Sequence, residues 1–102
     1  MTEQRTVREL SRLPGRVYVY LKDGRTGEAF LKAAEAEGFR FGDGAKPTDR
    51  HYSQVMAVEG DGTIHYVGAM GMAAFAANAD GLIRVDFDEY FKGNDGFFIK
   101  KR

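Results

Sequence analysis

The sequence predicts an α+β domain: a mostly antiparallel sheet of four to five strands with one main helix, about 26–37, packed on one face. Three observations carry this. Residues 17–21 alternate as a strand with apolar or aromatic side chains on both sides, residues 26–37 have helical spacing ended by a glycine, and Asp61-Gly62 separates two strand-like runs. A chain of 102 residues is expected to be a single domain, 1–102. One long helix covers only one face of such a sheet. The other face is therefore expected to be open, with Tyr18, Tyr20, Tyr66 and His65 as its candidates.

Taken in order, Thr6-Val7-Arg8-Glu9 has the capping-box form and starts a short helix that Pro14-Gly15 ends. Arg16 to Lys22 is the clearest strand, with Val17, Val19 and Leu21 on one side and Tyr18 and Tyr20 on the other. Asp23-Gly24 turns the chain, and Thr26 is expected to cap the next helix. In that helix Phe30, Leu31, Ala33 and Ala34 form the buried side, Glu35 and Glu37 lie outside, and Glu28 pairs with Lys32. Gly38 follows the last periodic residue and is expected at positive φ. Residues 54–58 and 63–67 form a hairpin, 70–78 a short helix, and 82–87 a strand with Ile83, Val85 and Phe87 inward. Asp86 or Asp88 caps one turn through Tyr90-Phe91, and Phe97 to Lys100 is a last strand.

Composition narrows the function. Fifteen basic and fifteen acidic residues cancel, so no global field draws in nucleic acid or an anionic membrane. No cysteine is present, which removes disulfides, thiolate nucleophiles and sulfur-ligated zinc. No apolar run reaches the length of a membrane-spanning helix and Met1 to Arg5 lacks a signal-peptide core, so a cytoplasmic protein with no membrane association is expected. The charge is uneven along the chain. Residues 1–25 hold six basic side chains against three acidic, and residues 80–95 hold two against five, so the two regions could pair.

No reaction is spelled out. Gly42 to Thr48 superficially resembles a phosphate loop, but it follows a helix, Ala45 precedes Lys46, and Pro47 intervenes before Thr48. Asp43, Asp49 and His51 lack metal-ligand spacing, and Asp86-x-Asp88 is not a calcium loop. Ser53 and His51 come without a glycine elbow or an oxyanion pair. No catalytic residue, metal or cofactor is assigned, and the chain reads as non-enzymatic.

Gly38-Phe39-Arg40-Phe41-Gly42-Asp43-Gly44-Ala45-Lys46-Pro47-Thr48 is a shaped connection of the kind that carries function. On Gly38, Phe39, Phe41, Gly44, Pro47 and Thr48, residues 16–67 resemble small uncharacterised proteins of phages and other mobile elements of Gram-positive bacteria. That resemblance implies a bacterial mobile-element origin and an accessory role, with no activity to carry over. The expected function is a small module that binds a protein or itself, using Tyr18 and Tyr20 on the open face with Phe39, Phe41, Asp43, Lys46 and His51 of the loop. One alternative is single-stranded nucleic-acid binding through Arg5, Arg8, Arg12 and Arg16 with Tyr18 and Tyr20. Another is a small-ligand site or an enzyme around residues 39–51, with Asp49 and His51.

Overall fold

The computed structural model describes residues 5–77 and 81–99. In chain order the elements are α1 (Val7–Ser11), β1 (Arg16–Tyr20), α2 (Gly24–Ala36), β2 (Arg40–Phe41), a 3₁₀ turn at Pro47–Asp49, β3 (Val55–Val58), β4 (Thr63–Tyr66), α3 (Gly68–Ala77), β5 (Leu82–Asp86) and α4 (Phe87–Phe91). The five strands form one open sheet in the order β2-β4-β3-β1-β5.

The α+β class holds, but the sheet is mixed rather than mostly antiparallel. β3 runs antiparallel to both β1 and β4, whereas β5 lies parallel to β1 and β2 parallel to β4. The expectation of one main helix on one face is corrected too, since four α-helices occur among the described residues. Connectivity explains where they lie. α2 carries the chain from β1 across to β2 at one edge, and α3 carries it from β4 back to β5 at the other. Crossovers of one hand that run in opposite directions over a sheet put their helices on opposite faces.

The larger core lies under α2. Phe30, Leu31 and Ala34 of α2 pack on Val17, Val19, Met56, Val58, Ile64 and Val85, with α1 adding Val7 and Leu10 and α4 adding Phe87 and Tyr90. Phe30 meets Phe87 edge-on at 5.1 Å between ring centroids, a favoured aromatic geometry. The smaller core, on the opposite face, gathers Tyr18, Val55, Ala57 and Leu82 beneath Ala74 and Phe75 of α3.

Local chemistry sets the element ends. The capping box at Thr6 and Glu9 is complete. Asp23, not Thr26, caps α2: its carboxylate accepts the Thr26 amide at 2.9 Å, while Thr26 itself is buried. Asp86 caps α4. Glu37, expected outside, accepts the Val7 and Arg8 amides at 2.9 and 2.8 Å and so closes the start of α1. Phe97 to Ile99 run beside β5 through a single bridge, Val85 to Phe98, and Lys100 lies outside the described residues.

The two charged regions do meet. Arg5 pairs with Asp95 at 3.3 Å and Lys22 with Asp88 at 2.9 Å. Tyr90, buried beside them, donates to the Thr6 carbonyl at 2.5 Å, and burial pushes its hydroxyl up to about 12.

Gly38 takes φ +90°, as its position after α2 requires. A Cβ there would meet no atom within 4 Å, so only the backbone conformation resists substitution. Gly38→Val is expected to destabilise the domain by about 1 kcal/mol through that strain. An unchanged midpoint in thermal unfolding would contradict this.

Candidate functional site

The loop after α2 is held by its own backbone and by ion pairs. The Phe41 amide donates to the Ala45 carbonyl at 2.9 Å and Gly44 turns the chain at φ +92°. Arg50 reaches back to Asp43 at 2.5 Å, and its guanidinium and the Ala45 amide hold the Asp43 carboxyl below the usual carboxylate range. Arg50 also lies over the Phe41 ring, 4.8 Å from its centre. The Thr48 hydroxyl and amide donate to Glu35 at 2.6 and 3.1 Å and lower that carboxyl as well.

The structure disperses the loop residues named from the sequence. Phe39 and Phe41 belong to the main core, so neither ring is on the surface. Their alternation serves β2, which pairs with β4 and sends Phe41 inward beside Ile64. Asp43, Lys46 and His51 stay exposed. His51 borders a cleft of about 300 Å³ between α2 and the Thr48–Tyr52 stretch, together with Glu28, Lys32 and Arg50. Glu28 and Lys32 form no ion pair with each other. Tyr52 closes one wall by lying flat on α2 at Gly27, where a Cβ would come within 2.3 Å of the ring. Tyr66 donates to the His51 carbonyl at 2.6 Å and tilts against Phe41.

His65 is half-buried in the sheet and satisfied locally. The Thr63 hydroxyl gives its proton to Asp61 at 2.6 Å, so the 3.0 Å contact with His65 Nε2 uses an imidazole N–H as donor. Its ring lies against Gly42, where a Cβ would be 2.8 Å from Cε1. Among the described residues no group of three His, Asp or Glu side chains is placed to hold a metal.

Tyr18 and Tyr20 lie beneath α3 rather than on an open face. Tyr18 is 9% exposed, and Tyr20 is half-buried with its ring stacked on Phe75 at 6.3 Å. Gly71 of α3 is buried, and an added Cβ there would lie 2.5 Å from Val67 Cβ and 3.5 Å from the Tyr18 hydroxyl. The covering helix has no polar side chain anywhere in Gly-Ala-Met-Gly-Met-Ala-Ala-Phe-Ala-Ala. Gly71, Ala74 and Phe75 face the sheet, while Ala69, Met70, Met72, Ala73, Ala76 and Ala77 are exposed, Met70 at 89%. Sequence reasoning gave residues 70–78 as a short helix and assigned no character to its outer side. The missing polar residues were the available sign that its outer side is apolar too.

Arg84 was also missed. It points from β5 towards α3 and is 8% exposed. Its two terminal nitrogens donate to the Phe75 carbonyl at 3.0 Å and the Ile99 carbonyl at 3.2 Å, and its charge lies over the Phe75 ring. Nε has no partner among the described residues. The side chain thus supplies a donor and a positive charge at the C-terminal end of α3, where carbonyls lack helical partners.

No family model, curated protein or solved structure matches this chain. Among the described residues no helix is long and apolar enough to cross a membrane.

Proposed function

We propose that this chain is a small non-enzymatic protein-binding module that docks through the outer face of α3. One observation carries the reading: a ten-residue helix without a polar side chain has one face on its own sheet and the other in solvent. Helices apolar all round are normally buried on all sides, and exposed contiguous apolar surface marks interaction sites. Methionine suits such a face because its unbranched, polarisable side chain adapts to a partner's contour. The interface assigned from the sequence to Tyr18 and Tyr20 thereby moves one layer outward, onto the helix that covers them. An accessory role in the bacterial cytoplasm, of mobile-element origin, fits the resemblance of residues 16–67.

Nucleic-acid binding draws less support, because two of its four arginines are engaged within the chain. Arg5 donates to the Asn94 carbonyl at 2.6 Å and pairs with Asp95, and Arg8 stacks on Phe39.

A photoreactive residue at position 70, with the same probe at Lys32 on the α2 side as control, tests the docking face in the organism that makes the protein. The expected result is one discrete protein adduct from position 70, identified by mass spectrometry and suppressed by Ala73→Glu, with none from position 32. Equal, diffuse labelling from both positions would remove the reading.

A further inference from the structure

We propose that Met70 is a site of reversible oxidation, and that converting its thioether to a sulfoxide switches the outer face of α3 from apolar to polar. The effect on docking rests on the reading of α3 as a docking face, whereas the oxidation itself does not. With four methionines and no cysteine, thioethers are the only sulfur in the chain and the side chains where oxidative chemistry concentrates. The fold ranks three of them. Met56 is fully buried in the main core, Met72 is 36% exposed and Met70 is 89% exposed. Met1 lies outside the described residues.

The oxidant belongs to the peroxide class. The sulfur lone pair attacks one peroxide oxygen, and the S–O bond forms as the O–O bond breaks. The second oxygen takes up the proton and leaves as water, so sulfur is oxidised and the peroxide reduced by the same electron pair. Burial shuts the oxidant away from Met56, whereas the Met70 side chain stands in solvent. The product therefore changes the surface and not the core. Water solvates the new S–O group, and α3 keeps its packing on Tyr18 and Leu82 through Ala74 and Phe75. On a helix without a polar side chain, that group is the sole polar one. A partner that covers the face must then bury it without a hydrogen bond, which is costly. A dithiol reverses the change through methionine sulfoxide reductases, one for each sulfoxide epimer. The oxygen leaves as water and the dithiol becomes a disulfide.

Peptide mass spectrometry of the folded full chain, sampled over time in dilute hydrogen peroxide, tests the site. Met70 should gain oxygen at least about tenfold faster than Met56 and severalfold faster than Met72, and guanidinium chloride should abolish the difference. Once Met70 is oxidised, retention on a hydrophobic-interaction column should fall while circular dichroism stays unchanged. Reductases with dithiothreitol should restore both mass and retention. Met70→Leu keeps an apolar side chain that the peroxide does not oxidise, so its retention should not move. Met56 or Met72 reacting as fast as Met70, or unaltered retention of the oxidised wild type, overturns the inference. A photoreactive residue at position 69 leaves Met70 in place and separates the switch from the docking reading. An adduct formed before oxidation and lost after it supports both. One that persists on the oxidised chain overturns the switch and leaves the docking face standing. No adduct even before oxidation removes the docking face, and the peptide map and the column then decide the Met70 site.

Discussion

Replacing Arg84 by alanine is expected to lower the stability of the domain by about 2–4 kcal/mol, the sum of two lost charge-assisted hydrogen bonds and the space left behind. The side chain is 8% exposed and ties three elements together: β5, on which it sits, the end of α3 through the Phe75 carbonyl, and the last described residues through the Ile99 carbonyl. Truncation leaves both carbonyls without that donor and removes a positive charge from the C-terminal end of α3. Arg84→Lys keeps the charge but replaces a two-pronged donor with a single point, so it should fall between the two. Arg84→Met separates packing from charge. Burying a guanidinium is itself costly, and well-packed apolar replacements of buried charges are often neutral. A methionine variant as stable as wild type, beside a destabilised alanine variant, would show that the site needs volume more than charge. Urea unfolding measures all three. Hydrogen exchange at the α3 amides should accelerate first, and an alanine variant with an unchanged urea midpoint would contradict the account.

The second large effect is expected at Gly27, where two principles predict opposite signs. Glycine in a helix interior costs about 1 kcal/mol relative to alanine, so propensity alone predicts that Gly27→Ala stabilises. Packing predicts the reverse. The new Cβ would lie 2.3 Å from Tyr52 Cγ and 2.5 Å from both Cδ atoms, at the root of the ring, where side-chain rotation gives little relief. Overpacking of this kind costs about 1–3 kcal/mol. The net expectation is a loss of about 1–2 kcal/mol, with Tyr52 displaced and the Thr48–Tyr52 wall of the cleft shifted. In a Tyr52→Ala background the clash is gone, and the same substitution should become stabilising by up to about 1 kcal/mol. Gly27→Ala showing the same sign in both backgrounds would refute the packing argument.

Elements specified by neighbouring residues were legible in the sequence. α2 follows from its apolar spacing and the glycine after it, the β3–β4 hairpin from Asp61-Gly62, and α1 from the reciprocal Thr6–Glu9 cap. Elements specified by distant residues were not. β2 is two residues long and exists because Arg40 and Phe41 find β4, which no local pattern announces. The parallel β1–β5 pairing depends on the direction in which α3 crosses the sheet. The candidate site divides in the same way. Alternating aromatics at 39 and 41 read equally well as a surface loop or as a strand entering the core, and contact with β4 and α2 decides for the core. Tyr18 and Tyr20 lie on the face that the alternation of residues 17–21 assigns to them, but α3 covers that face, which was expected to be open. A charged residue in a strand ordinarily points to solvent, so the burial of Arg84 became readable only once the end of α3 was in place above it.

The bonds that close α1 bear on the order in which the chain can assemble. Its amides wait for Glu37, the Thr6 carbonyl for Tyr90, and Arg5 for Asn94 and Asp95. β1, next in the chain, is flanked by β3 and β5, both synthesised later. The partners of the first segment thus arrive in two stages: Glu37 follows Val7 by 30 residues, whereas Tyr90, Asn94 and Asp95 come 84 to 90 residues after Thr6 and Arg5. Closing contacts so distant in sequence carries the entropic cost that slows folding. Val7, Leu10, Val17 and Val19 can thus be covered by α2 and β3 first, while the bonds that tie Arg5 and Thr6 to Tyr90, Asn94 and Asp95 close later.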